Sequence, residues 1–430
     1  MLSYAEKNKA MKPLKVTLIS HSDKVGGAAI VTFRLMQALR KAGVDARMIT
    51  FVKSSEDENI VEACHRNKRS ALFLAERGYI FLQNGFSKKD LFKVSIANTG
   101  LHLDKHPWVA DADVIALNWI NQGMLSLEGI DRLSALGKPI IWTMHDMWCL
   151  TGICHHAHEC SNYKEQCGNC SYLHFFSSRN DLSHRVWKLK KELYSRANIH
   201  FVAVSNWLAE RCKESSLLQD KPVSVIHNAF PIEFYMTSPT MQAEELGIDS
   251  SKNIIIMGAA RLDDPIKGFD IAIDALNTFA EKYIEMAKDC IAIFFGDIRD
   301  SSLLGKIKMA YKHIGIINDA KTLRQTYASS KVVLSTSLYE TLPGTIIEGQ
   351  AAGCVPVSFG KGGQRDINDH KKNGYIAEYK SPESIADGIA WALENAPDRD
   401  AQHEEVRKRF ASDVIANKYI DLCNKLLSQR

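Results

Sequence analysis

The chain of 430 residues has little of several features that mark other classes of protein. It has no apolar run long enough to cross a bilayer, and residues 1–10 have no hydrophobic core of the kind found in secretion signals. It contains 54 Lys and Arg residues and 50 Asp and Glu residues, and the resulting net charge of +4 does not indicate a nucleic-acid partner. It has no low-complexity tract and no short-period repeat. These absences predict a globular cytosolic protein that binds no nucleic acid.

Strand and helix patterns alternate along the chain in two successive series. A chain of this length is too long for one ordinary core and suits two domains of comparable size. Short apolar runs bounded by turn signals are typical of buried parallel strands. In the first series these runs are Leu14–Ser20, Ala46–Val52, Val114–Trp119, Pro139–Thr143, Asn198–Ser205 and Val223–Ile226. In the second they are Asn253–Gly258, Ile291–Phe295, Val332–Ser335 and Val355–Ser358.

The alternation predicts an α/β fold of two Rossmann-like domains that face each other across a cleft. We predict a first domain over residues 1–228 and a second over residues 229–405, followed by a closing helix at 406–430. Residues 237–251 are predicted to be a hinge and connector. Met11 directly precedes the first strand pattern, so the segment before it is predicted to be a loose extension, and the start of translation at Met1 or Met11 stays open.

Two carboxylates, Glu340 and Glu348, stand eight positions apart in a block that reads as strand, loop, helix, glycine stop and strand. A loop at the carboxyl end of a parallel strand is where open α/β sheets bind ligands. The spacing lets one acid meet a sugar and the other a ribose of the same nucleotide-sugar. An alternative is structural: Thr345 to Glu348 fits a capping box, in which Glu348 would only close its own helix.

Arg261 and Lys267 bracket a turn between a predicted strand and a predicted helix, so both cations can converge at its tip. A diphosphate leaving group needs positive charge where its own negative charge grows, and a preorganised Arg/Lys pair supplies it. The alternative is a solvated loop with two unrelated surface cations, which is the commoner fate of such residues.

These features together resemble the retaining GT-B glycosyltransferases of family 4. The resemblance covers essentially the whole chain, is strongest from Gly258 to Gly363, and is carried by Arg261, Lys267-Gly268-Phe269, Glu340, Glu348 and Gly362-Gly363. It implies two Rossmann-like domains with a C-terminal helix that packs back on the first. It also implies transfer of a sugar from a nucleotide-sugar to an acceptor, with retention at the anomeric carbon and without a catalytic metal.

The resemblance also implies roles for individual residues. Arg261 and Lys267 would hold the donor diphosphate, Glu348 would accept hydrogen bonds from the ribose, and Glu340 would fix the donor sugar. The start of the following helix would contact the distal phosphate through Leu342, Pro343, Gly344 and Thr345. Thr341 and Pro343 stand where Gly is frequent in the family, which is a departure from its loop pattern. Since no carboxylate nucleophile is evident, the implied mechanism is front-face attack through an oxocarbenium-like state.

The first half contributes three further candidates. His145 ends a buried strand at the place where the family has a His beside the reacting sugar, although a lone His there is otherwise more often structural. Gly26-Gly27 is no dinucleotide fingerprint, and it predicts either close backbone approach to a phosphate or acceptor, or a plain tight turn. Asp111-Ala-Asp113 matches the metal-binding D-x-D of another transferase fold, but it precedes a strand and is predicted to be a polar turn.

A cysteine-rich insertion is predicted at residues 149–170. Ten cysteines in a chain without a secretion signal favour reduced thiols or a metal site over a disulfide framework. A structural zinc site would pin this loop beside His145, and the alternatives are free buried cysteines or a redox pair. The predicted zinc ligands are Cys154, Cys160, Cys167 and Cys170, and an alternative set has His155, His156 or His158 in place of one cysteine.

The basic segment His184–Arg196 interleaves cations with apolar residues. Such a helix can lie on anionic lipid, although packing of its apolar stripe on the core is the more common arrangement. The sequence as a whole predicts a cytoplasmic transferase, in peripheral contact with the inner face of the plasma membrane, that uses a glycan or lipid-linked acceptor in bacterial cell-surface polysaccharide synthesis. The alternatives are a sugar phosphorylase or disaccharide-phosphate synthase on the same fold, and a non-catalytic sugar-nucleotide or glycan-binding protein.

Overall fold

A computed structural model describes residues 12–236, 249 and 251–429. The predicted extension at residues 1–10 and nearly all of the predicted connector at 237–251 lie outside the described residues. The chain forms two compact units. Unit 1 comprises Met1–Val204, Leu208–Ala229 and Ile415–Arg430, and unit 2 comprises Ser205–Trp207 and Phe230–Val414.

Unit 1 is built on a parallel sheet of seven strands in the order β3-β2-β1-β4-β5-β6-β7. The central strands β4, β5 and β6 are buried along their whole length, which explains their continuous apolar sequences. The strands are β1 (Lys15–Ser22), β2 (Asp45–Val52), β3 (Ile60–Glu62), β4 (Val114–Leu117), β5 (Ile140–Met144), β6 (Ile199–Ala203) and β7 (Val223–Val225). The helices are α1 (Gly27–Lys41), α2 (Arg66–Gln83), α3 (Pro107–Asp111), α4 (Leu127–Ser134), α5 (Leu182–Arg196) and α6 (Asn206–Glu214), whose first two residues are assigned to unit 2.

Unit 2 is built on a parallel sheet of six strands in the order β10-β9-β8-β11-β12-β13. Its core lies between this sheet and α8 and α12, whose buried faces carry residues such as Phe279 and Ile385. The strands are β8 (Asn253–Arg261), β9 (Cys290–Asp297), β10 (Tyr311–His313), β11 (Val332–Ser335), β12 (Val355–Phe359) and β13 (Tyr375–Ala377). The helices are α7 (Ile232–Tyr235), α8 (Phe269–Lys282), α9 (Ile284–Lys288), α10 (Ala320–Ala328), α11 (Gly344–Ala351), α12 (Pro382–Glu394) and α13 (Arg399–Phe410).

The last helix, α14 (Ser412–Ser428), completes the core of unit 1. Ile415, Tyr419 and Leu422 recur at helical spacing and are buried against β1, β2 and β4. The hydroxyl of Tyr419 also lies 2.9 Å from that of Thr143 in β5. The prediction that a C-terminal helix packs on the first domain is therefore confirmed, and this helix begins six residues after the predicted boundary at residue 406.

Each sheet has a point at which the chain changes its direction of travel across the strands. In unit 1 this switch point lies between β1 and β4, and in unit 2 it lies between β8 and β11. Loops that leave the carboxyl ends of these strands diverge there and open a crevice, which is the usual ligand site of doubly wound sheets. Five of the predicted site residues lie on these loops, namely Gly26, Lys267, Glu340, Leu342 and Pro343. Among the described helices, none combines the length and hydrophobicity needed to span a bilayer.

Candidate functional site

The end of β8 and the loop that follows it carry the two predicted cations, Arg261 and Lys267. Asp264 caps a short 3₁₀ turn, Pro265–Lys267, by accepting a hydrogen bond of 3.2 Å from the backbone N–H of Ile266. Gly268 follows with φ 60° and ψ 40°, a left-handed conformation that costs a residue with a Cβ about 1–2 kcal/mol. The glycine lets the chain turn from the cation loop directly into α8.

Hydrogen bonds tie this loop to the loop after β11, the neighbouring strand. The hydroxyl of Thr336 faces the carbonyl oxygens of Lys267 and Gly268, at 3.0 and 2.8 Å. The backbone N–H of Leu338 donates to the carbonyl of Ile266 over 2.8 Å. Two segments about 70 residues apart in sequence are thus held side by side at the switch point of unit 2.

The consequence is a direct contact between two predicted site residues. Lys267 Nζ lies 2.5 Å from Glu340 Oε1, and their side chains are 28% and 20% exposed, so a ligand can reach both. Arg261, at the end of β8, pairs with the acids of its own loop instead. Its Nε lies 3.4 Å from Asp263, and its terminal nitrogen lies 3.1 Å from Asp264. The structure brings Lys267 and Glu340 together and holds Arg261 against its sequence neighbours.

The loop that carries Glu340 is anchored on both sides. The backbone N–H of Gly363 donates to the carbonyl of Glu340 over 3.0 Å, and Gly362 has φ 134°. A Cβ at Gly363 would collide with the carbonyl of Thr341, so the close approach of these two segments requires glycine. The side chains of Thr341 and Leu342 are buried, which anchors the loop in the protein interior.

Glu348 lies in the second turn of α11, on the face that is partly exposed. The helix begins at Gly344 with Pro343 as its N-cap, so Thr345 is already helical and the alternative capping-box interpretation of Glu348 is wrong. Gly344, Thr345 and Glu348 share one face, since residues three and four positions apart are neighbours on a helix. Burial first, and the carboxylate of Glu348 second, raise the pKa of the Tyr327 phenol well above its usual range.

The glycine loop of unit 1 is held at its base and open at its tip. Asp23 ends the turn out of β1 and accepts backbone hydrogen bonds of 2.9 and 2.8 Å from Ser54 and Ser55. Gly26 has φ 92° and precedes the first turn of α1. A Cβ added at Gly26 or Gly27 would meet no described atom within 4 Å. The space above this loop is therefore accessible to a ligand.

His145 follows β5, and its side chain is held by the residue that follows β4. Its Nε2 lies 3.2 Å from Oδ1 of Asn118, and since this oxygen only accepts, the contact favours the tautomer with hydrogen on Nε2. Burial lowers the pKa of His145 to about 4, against the opposing influence of the Asp146 carboxylate. His145 is therefore neutral near pH 7 and can donate a hydrogen bond without bringing a charge.

Asp146 forms a buried network that the sequence did not reveal. Its Oδ2 lies 2.7 Å from His155 Nδ1 and accepts a hydrogen bond of 3.0 Å from Trp119 Nε1, while Oδ1 accepts one of 2.8 Å from the Trp148 backbone. Burial alone would raise the pKa of Asp146, but His155, His156 and the backbone hydrogen bond from Trp148 together outweigh it, and the pKa is lowered. The signal that could have found Asn118 and Asp146 is their place directly after buried strands.

Asp111 and Asp113 lie at the amino ends of the strands in unit 1. Asp111 pairs with Lys15 Nζ at 2.7 Å, and Asp113 accepts a hydrogen bond of 2.8 Å from the Lys15 backbone. These contacts are on the edge of the sheet opposite to His145, and they support the interpretation as a polar turn rather than a metal site.

Comparison with known proteins agrees with this organisation. The family described as "Glycosyltransferase Family 4" matches residues 25–234, and the family described as "Glycosyl transferases group 1" matches residues 240–409. A solved glycosyltransferase from Rickettsia africae superimposes over 97% of this chain and 100% of its own, with a TM-score of 0.67 and 16% identity. HepE from Anabaena, whose structure contains UDP and glucose, superimposes over 96% of this chain and 99% of its own, with a TM-score of 0.60 and 18% identity.

The chain is a GT-B glycosyltransferase similar to family 4. A sequence relative, the uncharacterized glycosyltransferase MJ1607 of Methanocaldococcus jannaschii, is 27% identical over 314 residues, which is 69% of this chain and 77% of that protein. These findings confirm the predicted fold. At these identities, the structural likeness shows the fold alone.

The cysteine-rich segment of the glycosyltransferase brings its four predicted zinc ligands into the same neighbourhood. Cys170, Cys167 and Cys160 each act electrostatically on Cys154, and all four are free thiols. Burial raises the pKa of Cys167 to about 11 and that of Cys170 to about 12. Across the part of the chain that the structure describes, no three His, Cys, Asp or Glu side chains are grouped to hold a metal ion. The zinc site therefore stays a prediction.

The basic helix α5 packs against unit 1 through its apolar stripe. Val186, Trp187 and Leu193 are buried, as the structural alternative predicted, while Leu189 is exposed. Lys190 is buried with them. Its Nζ donates to the carbonyls of Trp148 and Thr151 at 2.6 and 3.0 Å, and burial lowers its pKa to about 7. Lys190 thereby fixes the start of the cysteine-rich segment, directly after His145 and Asp146.

Proposed function

We propose that this glycosyltransferase moves a sugar from a nucleoside-diphosphate sugar to a glycan or lipid-linked acceptor in the synthesis of a bacterial cell-surface polysaccharide. The transfer retains the configuration of the anomeric carbon and uses no catalytic metal. The observation that carries the proposal is the contact between Lys267 and Glu340 at the switch point of unit 2, where a cation and an acid are both within reach of one ligand.

The cation loop supplies what a diphosphate leaving group needs. Negative charge grows on the phosphate oxygen as its bond to the anomeric carbon breaks, and a preorganised cation stabilises that charge without reorganising. Lys267 meets this charge directly, and Arg261 joins it by exchanging its local carboxylates for phosphate oxygens. The first backbone N–H groups of α11 have no partner within their helix, so they add a partial positive charge for the distal phosphate.

The two acids recognise the rest of the donor. Glu340 accepts hydrogen bonds from hydroxyl groups of the transferred sugar, because it adjoins the cation that holds the diphosphate. Glu348 lies on the same face of α11 as Gly344 and Thr345, so it can accept hydrogen bonds from the ribose while the helix start contacts phosphate. One nucleotide-sugar then contacts all these groups at once.

Retention follows from front-face attack. The acceptor hydroxyl attacks the anomeric carbon on the face from which the diphosphate leaves, and the departing phosphate oxygen takes the hydroxyl proton. His145 contributes a neutral hydrogen bond to the sugar or acceptor, since its lowered pKa of about 4 leaves it uncharged near pH 7. The rate acceleration then comes from positioning and from the cations around the leaving group.

The first donor to test is UDP-glucose, because the HepE structures contain UDP with glucose or UDP-glucose. Two other solved relatives indicate acceptors. WaaG is described as a glycosyltransferase of lipopolysaccharide biosynthesis, with a TM-score of 0.61 and 15% identity. A sucrose-phosphate synthase from Thermosynechococcus elongatus has a TM-score of 0.62 and 15% identity. Sugar phosphates are therefore tested beside lipid-linked acceptors, as the alternative function requires.

The decisive experiment compares Lys267→Ala and Glu348→Ala with Lys321→Ala, a change at an exposed lysine of unit 2. A thermal-shift screen with UDP-, GDP-, ADP- and TDP-sugars first identifies the donor, since a ligand of the native state raises its melting temperature. Removal of one preorganised donor to a developing charge is expected to lower kcat/KM by about 10²- to 10³-fold. NMR of the product determines the anomeric configuration.

The proposal fails if both site variants turn over the donor like wild type, or if no nucleotide-sugar shifts the melting temperature. An inverted product would exclude the retaining mechanism and leave the donor site standing. Product formation only with sugar phosphates would favour the synthase alternative.

We also propose that the cysteine-rich segment binds structural zinc through Cys154, Cys160, Cys167 and Cys170. Cysteine thiolates are zinc ligands, and metal binding would displace the protons that burial now favours. Elemental analysis is expected to give about one zinc per chain, and Cys167→Ser with Cys170→Ser is expected to lose it. A metal-free preparation of full activity would refute this.

A further inference from the structure

The described surface of unit 1 carries an unusual set of large apolar side chains around the end of α2. One exposed apolar side chain is ordinary, but a contiguous group usually marks an interaction site. The four side chains that form this aromatic patch are Leu82, Phe86, Phe175 and Phe176, which are 52%, 68%, 69% and 60% exposed.

The residues of the aromatic patch come from two segments that are distant in sequence and in contact with each other. A Cβ built on Gly85 would lie 2.6 Å from the Cβ of Phe175, so this phenylalanine rests on the end of α2. The backbone N–H of His174 donates to Oδ1 of Asn84 over 2.7 Å, and the rings of Phe81 and Phe86 meet edge to face at 5.6 Å. These contacts fix the positions of Phe86 and Phe175, whose side chains remain exposed.

The same two segments concentrate the positive charge of the chain. Residues 66–93 contain seven Lys and Arg against two Asp and Glu, and residues 174–196 contain six against two. The difference is +9 for the two segments together, whereas the whole chain has a net charge of +4. Arg77 and Lys190 are buried, and the other eleven cations reach the surface. Lys88, Lys89 and Arg179 are exposed within a few residues of the aromatic patch.

We propose that the aromatic patch and its flanking cations dock unit 1 onto an anionic lipid bilayer. Rings inserted at the level of the headgroups, with Lys and Arg beside them on anionic phosphates, are the combination that holds monotopic proteins on membranes. In this arrangement the end of α2 and residues 174–176 contact the membrane. It does not rely on the apolar stripe of α5, because that stripe is buried.

A groove lies next to the aromatic patch. It has a volume of about 480 Å³ and runs between α2, α4 and α5. Tyr79, Arg185 and Leu189 line it, and all three are exposed. Arg185 also donates to the side chain of Gln83 over 2.6 Å, which joins the groove to the end of α2. The lining also includes Glu128, Asp131 and Glu192, so the groove carries charges of both signs, and the proposal rests on the aromatic patch and its cations rather than on the groove.

The test measures co-sedimentation of the full chain with vesicles, without donor or acceptor. Vesicles of phosphatidylcholine alone are compared with vesicles that contain 30 mol% phosphatidylglycerol. The wild type is expected to bind only the anionic vesicles and to be released by salt. The double variant Phe175→Ser/Phe176→Ser is expected to bind at least tenfold less. Lys88→Glu/Lys89→Glu is expected to bind at least about 25-fold less, from roughly fivefold per cation.

Matched variants in unit 2 serve as controls. Ile284→Ser/Ile316→Ser changes side chains that are 55% and 61% exposed, and Lys321→Glu/Lys331→Glu reverses two exposed cations. All four double variants are expected to melt like wild type, because every changed side chain lies at the surface.

The membrane proposal rests on the proposed use of a lipid-linked acceptor. Vesicle binding is measured without turnover, so the membrane proposal and the proposed function can each fail without the other. Equal loss of vesicle binding in the control variants would overturn the membrane proposal, as would wild-type protein that does not bind anionic vesicles. Concentration-dependent dimerisation that Phe175→Ser/Phe176→Ser abolishes, without vesicle binding, would assign the surface to a second copy of the chain and overturn it as well.

Discussion

Gly268 gives the sharpest test of how the cation loop is positioned. We predict that Gly268→Ala destabilises unit 2 and disables the donor site together. The left-handed conformation at φ 60° costs a residue with a Cβ about 1–2 kcal/mol. The new Cβ would also collide with the carbonyl of Thr336, the residue that holds this loop, and overpacking of this kind costs about 1–3 kcal/mol. The combined loss in the free energy of unfolding is roughly 2–5 kcal/mol.

The control is Gly305→Ala in the same unit, where a Cβ would meet no described atom within 4 Å and φ is not positive. Thermal melting and donor turnover are measured on both variants. Gly268→Ala is expected to melt several degrees lower and to lose at least tenfold in kcat/KM, because Lys267 moves away from Glu340. Gly305→Ala is expected to match wild type in both. A Gly268→Ala protein with wild-type melting and turnover would refute the argument that Thr336 and Gly268 position Lys267.

Two further predictions concern buried groups of unit 1. Lys190→Met is expected to destabilise unit 1 by about 1–3 kcal/mol at pH 7, because two buried carbonyls lose a donor, whereas Lys188→Met at an exposed position should not. Since the unfolded chain keeps the Lys190 proton up to about pH 10.5 and the folded chain releases it near pH 7, wild-type stability should rise between these values, and the rise should be absent in Lys190→Met. The lowered pKa of His145 affects stability at acidic pH. The unfolded state binds its proton below pH 6.5 and the folded state only below about pH 4, so the melting temperature should fall as the pH is lowered from 6.5 to 4. His145→Gln should flatten that fall and His102→Gln should not; identical profiles for His145→Gln and wild type would contradict the assignment.

The sequence predicted the interior strands of both sheets and the edge strand β7, and it missed the other three edge strands. β4, β5, β6 and β11 are fully buried, and their apolar runs were sufficient to locate them. The three strands that were missed have only three residues each and include partly exposed positions, so no apolar run marks them. They are β3, β10 and β13.

The candidate site could be predicted only in part, because its key contact depends on strand order. Lys267 and Glu340 meet since β8 pairs with β11, and no local pattern encodes a pairing between segments about 70 residues apart. The convergence of Arg261 with Lys267 stays a prediction, and it did not include the ion pairs that Arg261 makes with Asp263 and Asp264, although both acids are visible in the sequence beside Arg261. A cation next to two acids is first expected to pair locally.

The ion pairs of the proposed donor site have a consequence for recognition. Lys267 pairs with Glu340, and Arg261 pairs with Asp263 and Asp264. If these cations bind a diphosphate as proposed, the diphosphate would displace their carboxylate partners. Glu340 would then lose its partner and become available to hydroxyl groups of the sugar, so the pair would couple recognition of the diphosphate to recognition of the sugar.

This coupling makes opposite predictions for two ligands of one variant. Glu340→Gln removes the competing charge and leaves Lys267 without its ion pair, so a nucleoside diphosphate without a sugar should bind at least as tightly as to wild type. The nucleotide-sugar should be turned over about 10²-fold more slowly, since the amide is a weaker acceptor for sugar hydroxyls. Glu285→Gln breaks a comparable surface pair with Lys288, of 2.8 Å, and should change neither quantity. Calorimetry with the diphosphate and turnover with the nucleotide-sugar separate the two effects. A parallel loss of both would mean that Glu340 only orients Lys267 and does not contact the sugar.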